Sequence, residues 1–97
     1  MATYVVLVKW TEKSLHAFKK EPRETEELKK VMAGMGVQVK SWYVLMGQYD
    51  EMCILKAPNA EAVARLIFPL RARYGAQTET LQAFSDAEAV GLFAGMK

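Results

Sequence analysis

Residues 37–58 read VQVKSWYVLMGQYDEMCILKAP. Two apolar runs flank Met46-Gly47-Gln48-Tyr49-Asp50, which is the pattern of a β-hairpin. Gly47 suits a tight reversal, as a two-residue Gly47-Gln48 turn or a four-residue loop over 47–50. Both loops are even in length, so both give the same division of side chains between the faces. Trp42, Val44, Met46, Cys53 and Leu55 share one face; Tyr43, Leu45, Met52 and Ile54 share the other. A sheet with one side in water alternates apolar with polar. This hairpin is apolar on both sides, so both faces need cover.

Working outward, Thr3–Trp10 forms a first strand whose Val5-Val6-Leu7-Val8 run is again two-sided. Thr11 caps a helix with Leu15 and Phe18 inward. Pro22 breaks that helix and restarts it. Leu28, Val31, Met32 and Met35 then follow at the spacing of one helix face, and Gly34 and Gly36 end it. After the hairpin, Pro58-Asn59 opens another helix with Val63, Ile67, Leu70 and Tyr74 inward, an internal Pro69 to bend it and Gly75 as its C-cap. Residues 76–84 make a polar fourth strand suited to a sheet edge. Ser85-Asp86-Ala87-Glu88 is a capping box, and the short helix it opens turns Ala89, Leu92, Phe93 and Met96 inward.

The order strand, helix, strand, strand, helix, strand, helix is the ferredoxin-like pattern: an α+β sandwich with an antiparallel four-stranded sheet. One domain is expected, with its core over 3–84 and a C-terminal helix over 85–96. Two helices cover one sheet face. The other face would leave an apolar patch that monomers rarely carry, so a homodimer or higher assembly packed sheet against sheet is expected.

Composition sets bounds. The 97 residues are 52% hydrophobic and 25% charged, and the net charge of +2 is too small to argue for nucleic acid. The lone Cys53 excludes an internal disulfide and offers no Cys-based zinc site. No H-x-x-x-H spacing or Gly-rich phosphate loop is present. Neither a signal segment nor a run of membrane-spanning length appears. These readings lead to no metal, no cofactor, no membrane partner and a cytoplasmic location.

Gly47-Gln48-Tyr49-Asp50 resembles the G-x-Y-D signature of GYD-domain proteins. The opening block 4–11, YVVLVKWT, and the late block 78–84, TETLQAF, are similar to that family's first and last strands. Ser14 departs from the glycine expected soon after the opening threonine. The resemblance implies a ferredoxin-like domain that dimerises as an α+β barrel, with no assigned biochemical role. Related barrels include small monooxygenases, isomerases and stress-induced proteins, so fold does not settle function.

Topology gathers Trp10, Thr11, His16, Tyr49 and Asp50 at one end of the sheet as candidate ligand-binding residues. Among these, His16, Tyr49 and Asp50 are candidate acid/base groups. The structural readings rank ahead of the chemical ones. Asp50 beside a helix start accepts free backbone N–H groups. Tyr49 packs with its hydroxyl bonded nearby. His16 lies on a solvated helix face. Arg65, Arg71 and Arg73 read as an exposed solubilising face. Three functional classes remain. The first is a small oligomeric protein that binds a small molecule or serves as an accessory. The second is a cofactor-free enzyme acting on a small apolar or aromatic acid. The third is a protein-interaction module that docks through its last helix. An apolar cavity containing His16 would favour the enzyme, and an exposed stripe over Leu92, Phe93 and Met96 would favour the module.

Overall fold

The computed structural model describes residues 1–20 and 25–96. In chain order the elements are β1 (Ala2–Lys9), α1 (Glu12–Lys20), α2 (Thr25–Gly34), β2 (Gln38–Val44), β3 (Glu51–Ala57), α3 (Ala60–Tyr74), β4 (Gln77–Ala83) and α4 (Asp86–Ala94). The strands form one antiparallel sheet in the order β2-β3-β1-β4, so the fold is ferredoxin-like. The two apolar strands β1 and β3 are central, and the polar β4 takes an edge. The expected break and restart at Pro22 lies outside the described residues.

One sheet face and the helices enclose the core. Tyr4 and Val6 of β1 stand beside Leu55 and Cys53 of β3. All four are buried with Met32, Val37, Ala57, Val63, Leu66 and Ile67. Burying a bulky apolar side chain is worth about 1.5–3 kcal/mol, so this layer supplies most of the driving force. Val63 and Ile67 are buried as their spacing predicts, and Leu66 joins them. Asn59 caps α3 by accepting from the Ala62 N–H at 3.0 Å. Gly75 ends the helix at φ 68°, and Gly36 follows α2 at φ 81°; both conformations favour glycine.

Several expectations are corrected. Leu15 faces out, and Ser14 is the residue of α1 that is buried. Val31 and Met35 are exposed while Leu28 and Met32 pack inward, so the apolar stripe of α2 is narrower than its spacing suggested. The hairpin has the Gly47-Gln48 register, with Trp42 opposite Cys53 and Val44 opposite Glu51. Its ladder opens early, however. The last bond runs from the Leu45 N–H to the Asp50 carbonyl at 2.7 Å, and Gly47 has no positive φ. Val44 and Met46 are therefore exposed at the hairpin end, beyond the reach of the helices. A register shift between Val39 and Ser41 keeps both Val39 and Trp42 on the helix side.

The last helix departs most from expectation. Its capping box is complete, with Ser85 Oγ accepting from the Glu88 N–H and the Glu88 carboxylate accepting from the Ser85 N–H. These bonds hold the Glu88 carboxyl below its usual pKa. Yet none of its residues is buried. Val90, Leu92 and Phe93, and Met96 just beyond the helix, are 66%, 53%, 66% and 72% exposed, although Leu92, Phe93 and Met96 were expected inward. The helix stands off its own chain with its apolar side chains in solvent. It does not cover the second sheet face, where Val5 stands between Ile54 and Leu81, and Leu7 is opposite Met52. Tyr43 and Leu81 remain exposed there.

Candidate functional site

One end of the sandwich collects the end of β1, the start of α1, the hairpin loop and the end of α3. Its geometry begins with backbone. The Asp50 N–H donates to the Val8 carbonyl at 2.8 Å, which closes the hairpin loop against β1. The Asp50 carboxylate accepts from the Trp10 N–H at 2.8 Å. Asp50 thus serves the residue ahead of α1 rather than the helix's own N–H groups.

At the helix start, the Thr11 and Ser14 N–H groups are satisfied by hydroxyls. Thr11 Oγ1 accepts from the Ser14 N–H at 3.3 Å, and Ser14 Oγ accepts from the Thr11 N–H at 3.2 Å. This is a reciprocal cap with serine where glutamate is customary. Each hydroxyl then donates across to α3. Thr11 Oγ1 reaches the Gly75 carbonyl and Ser14 Oγ the Tyr74 carbonyl, both at 2.9 Å. Two carbonyls at the α3 terminus, which lack helical partners, are thereby satisfied. The small serine lets the two helix ends approach, and it is fully buried.

Beneath this layer lies Glu51, the first residue of β3, only 2% exposed. Its two carboxylate oxygens accept from two indoles: Trp10 Nε1 at 2.7 Å and Trp42 Nε1 at 2.9 Å. Bonds from N–H groups to a buried charge are among the stronger side-chain interactions. Trp10 continues into an aromatic row. Its ring meets Phe18 edge-on at 5.8 Å, and Phe18 meets Tyr74 at 5.7 Å. Trp42, Glu51, Phe18 and Tyr74 line a cleft of about 70 Å³ between the sheet and the helices. Val8, Ile67 and Leu70 complete its apolar wall, with Arg71 and Thr78 also lining it.

The five sequence-named residues do not form one cluster. Trp10, Thr11 and Asp50 are joined at the strand-to-helix passage by the bonds above. Tyr49 turns to the β4 edge, where its hydroxyl donates to Glu79 at 2.5 Å. That bond and the adjacent negative charge raise the Tyr49 pKa above its usual 10.0. His16 is exposed and lines a separate surface groove with Lys13, Lys20 and Arg73. The apolar cleft exists, but His16 is not among its lining residues. Glu51 was overlooked in sequence, as was Ser14. A charged residue beginning a strand whose next four residues are apolar, after two tryptophans elsewhere in the chain, is the signal that points to Glu51. Among the described residues, no group of three His, Cys, Asp or Glu side chains could hold a metal ion. Nor is any helix there long and apolar enough to cross a membrane.

Comparison with known proteins places this geometry in a family. Over 91 residues the chain is 30% identical to a Thermus thermophilus protein named glutamine synthetase and cystathionine beta-lyase binding protein; the match spans 93% of this chain and 96% of the relative. A crystal structure of a Thermus thermophilus protein superposes with a TM-score of 0.56 at 24% identity, covering 88% of this chain and 95% of that one. A hypothetical protein from Pyrococcus horikoshii superposes with a TM-score of 0.51 at 21% identity, covering 89% and 93%. At those identities the two structures show a shared fold. Residues 4–92 match the GYD domain, which includes both the Gly47-Gln48-Tyr49-Asp50 turn and the Glu51 that follows it. This chain belongs to the GYD domain family.

Proposed function

We propose that this GYD-domain chain is a small homodimeric accessory protein that works by binding other proteins, with α4 as a docking element. The exposure of α4 carries the reading. Its capping box preforms the helix, and Val90, Leu92, Phe93 and Met96 stand in solvent. Apolar residues exposed on a preformed helix are the means by which helices enter grooves of other proteins. The Thermus relative, named for binding two enzymes, supports the same reading. The dimer joins through the second sheet face, where Val5, Leu7, Met52, Ile54, Tyr43 and Leu81 form the apolar surface that the helices leave open.

The test is binding to glutamine synthetase and cystathionine beta-lyase from the chain's own host, by biolayer interferometry with the immobilised enzymes. Binding of either at a Kd of about 10 µM or tighter is the expected result, weakened about tenfold or more by Phe93→Asp. Phe93 is exposed, so this substitution leaves the fold intact. If both enzymes fail to bind at about 100 µM, the partner assignment is wrong. Full binding by the Phe93 variant would remove α4 from the docking role.

A further inference from the structure

We infer that the groove between α1 and the last turn of α3 is a binding site for a small organic phosphate, its phosphoryl group held among Lys13, Lys20 and Arg73. This goes beyond the protein-docking reading and uses a different surface. Lys13, His16, Ala17 and Lys20 recur at the i, i+3, i+4, i+7 spacing and so form one stripe of α1. Arg73 and Tyr74 of α3 complete the groove, which has a volume of about 360 Å³. Of its described lining residues, Lys13, Lys20 and Arg73 are cations and none is acidic. The whole chain carries only +2, so the groove is a local concentration of positive charge. A concave surface lined by one sign of charge focuses its field on an entering ion of the other sign.

The neighbouring contacts position these groups before a ligand arrives. Lys13 Nζ donates to the Ala72 carbonyl at 3.3 Å, and its stem passes close over Gly75. An ammonium has three N–H donors, so that bond leaves two for a ligand. The Arg73 guanidinium lies over the Tyr74 ring, 5.3 Å from its centre. The carboxyl end of α3 would by itself repel an anion. Here its carbonyls are covered: Ala72 by Lys13, Tyr74 by Ser14 and Gly75 by Thr11. Charge and room then set the ligand class. A phosphate monoester carries about −1.5 to −2 at pH 7, so it engages several cations where a carboxylate offers a single charge. The groove is of the size that takes a small molecule, more than a bare phosphate fills. Ala17, Tyr74 and the lysine stems supply apolar surface for the organic part.

The experiment is a titration of the isotope-labelled full chain with phenyl phosphate, inorganic phosphate and phenol, followed by NMR shifts of the α1 and α3 amides. Ionic strength is fixed, because exposed charges are screened over about 10 Å at 0.1 M salt. Phenyl phosphate is expected to saturate with a Kd of about 1 mM or tighter, about threefold or more tighter than inorganic phosphate, and phenol not to saturate. Lys20→Glu, at an exposed position, should weaken phenyl phosphate about fivefold or more. Lys30→Glu makes the same change of net charge at an exposed position of α2 outside the groove, and should weaken it less than about twofold. Absence of saturation at about 20 mM phenyl phosphate overturns the inference. So do equal losses in the two variants, which would make the attraction a property of net charge, and inorganic phosphate or phenol binding as tightly as phenyl phosphate. Loss of enzyme docking by the Phe93 variant has no bearing on any of these outcomes, so each reading can fail alone.

Discussion

Replacing Glu51 by glutamine changes one atom and should unsettle the whole sheet-to-helix junction. The wild-type carboxylate accepts from Trp10 Nε1 at 2.7 Å and from Trp42 Nε1 at 2.9 Å. Hydrogen bonds to a charged group are worth about 1.5–3 kcal/mol each. A glutamine keeps one acceptor oxygen, so one indole retains a neutral bond worth about 0.5–1.5 kcal/mol. The glutamine NH₂ is a donor and confronts the second indole N–H, which is left without an acceptor. The net loss is then about 2–4 kcal/mol, the same order as the total stability of a small domain. For a domain of this size the melting temperature falls by about 4–8 °C per kcal/mol, so a drop of about 8 °C or more is expected. Urea denaturation followed by far-ultraviolet circular dichroism is the suitable assay, because tryptophan fluorescence would report the altered indoles themselves. Protein concentration must be fixed, since any dimer adds a mass-action contribution. Trp42→Phe combined with Glu51→Gln closes a double-mutant cycle, and a coupling of about 1 kcal/mol or more is expected. A midpoint for Glu51→Gln within about 0.2 M urea of wild type would refute the reasoning.

Other outcomes follow from the same geometry. Asp50→Ala removes the acceptor of the Trp10 N–H and should destabilise by about 1–2 kcal/mol; an unchanged denaturation midpoint with altered ligand affinity would make Asp50 a site residue instead. His16→Gln should leave the melting temperature nearly unchanged, because His16 is exposed; a shift beyond about 5 °C would give it a structural role. Glu79 raises the Tyr49 pKa, so the folded chain favours the protonated phenol. The stabilisation from this pair is present below the ordinary value of 10.0 and is lost as pH rises through the higher folded-state value. Ultraviolet difference titration should show a late phenol step that disappears in Tyr49→Phe and moves to lower pH in Glu79→Gln; an unmoved step would disprove the coupling. Sedimentation equilibrium at micromolar concentration should give about twice the chain mass of 10.9 kDa, or a higher multiple, and a clean monomer would defeat the sheet-face dimer.

Much of this protein was determined by sequence alone, because periodicity and turn chemistry are local. The two-sided apolar runs at 5–8 and 52–55 mark β1 and β3 as the central strands, and the polar 76–84 marks an edge; the strand order agrees. Asn59, Gly75 and the Ser85–Glu88 box set helix ends where the structure has them, since caps depend on neighbours within a few residues. The three blocks that resemble GYD-domain proteins fall inside the matched span 4–92. Tertiary structure decided what depends on contacts between distant residues. Helical spacing turns Leu15 and Phe18 to the same side, but the bond from Ser14 to the Tyr74 carbonyl rotates α1 so that Ser14 is inward and Leu15 is out. Spacing likewise cannot tell whether an apolar stripe is covered, and no residue of α4 is buried. The candidate site shows the same division. Sequence brought Trp10, Thr11 and Asp50 to one end through topology, but it had no means to send Tyr49 to Glu79 or His16 to a separate groove. Glu51 joins Trp42 of β2 and Trp10 just beyond β1, residues 9 and 41 positions away. A buried charge is tolerated only where such partners converge, and that convergence exists only once the chain has folded.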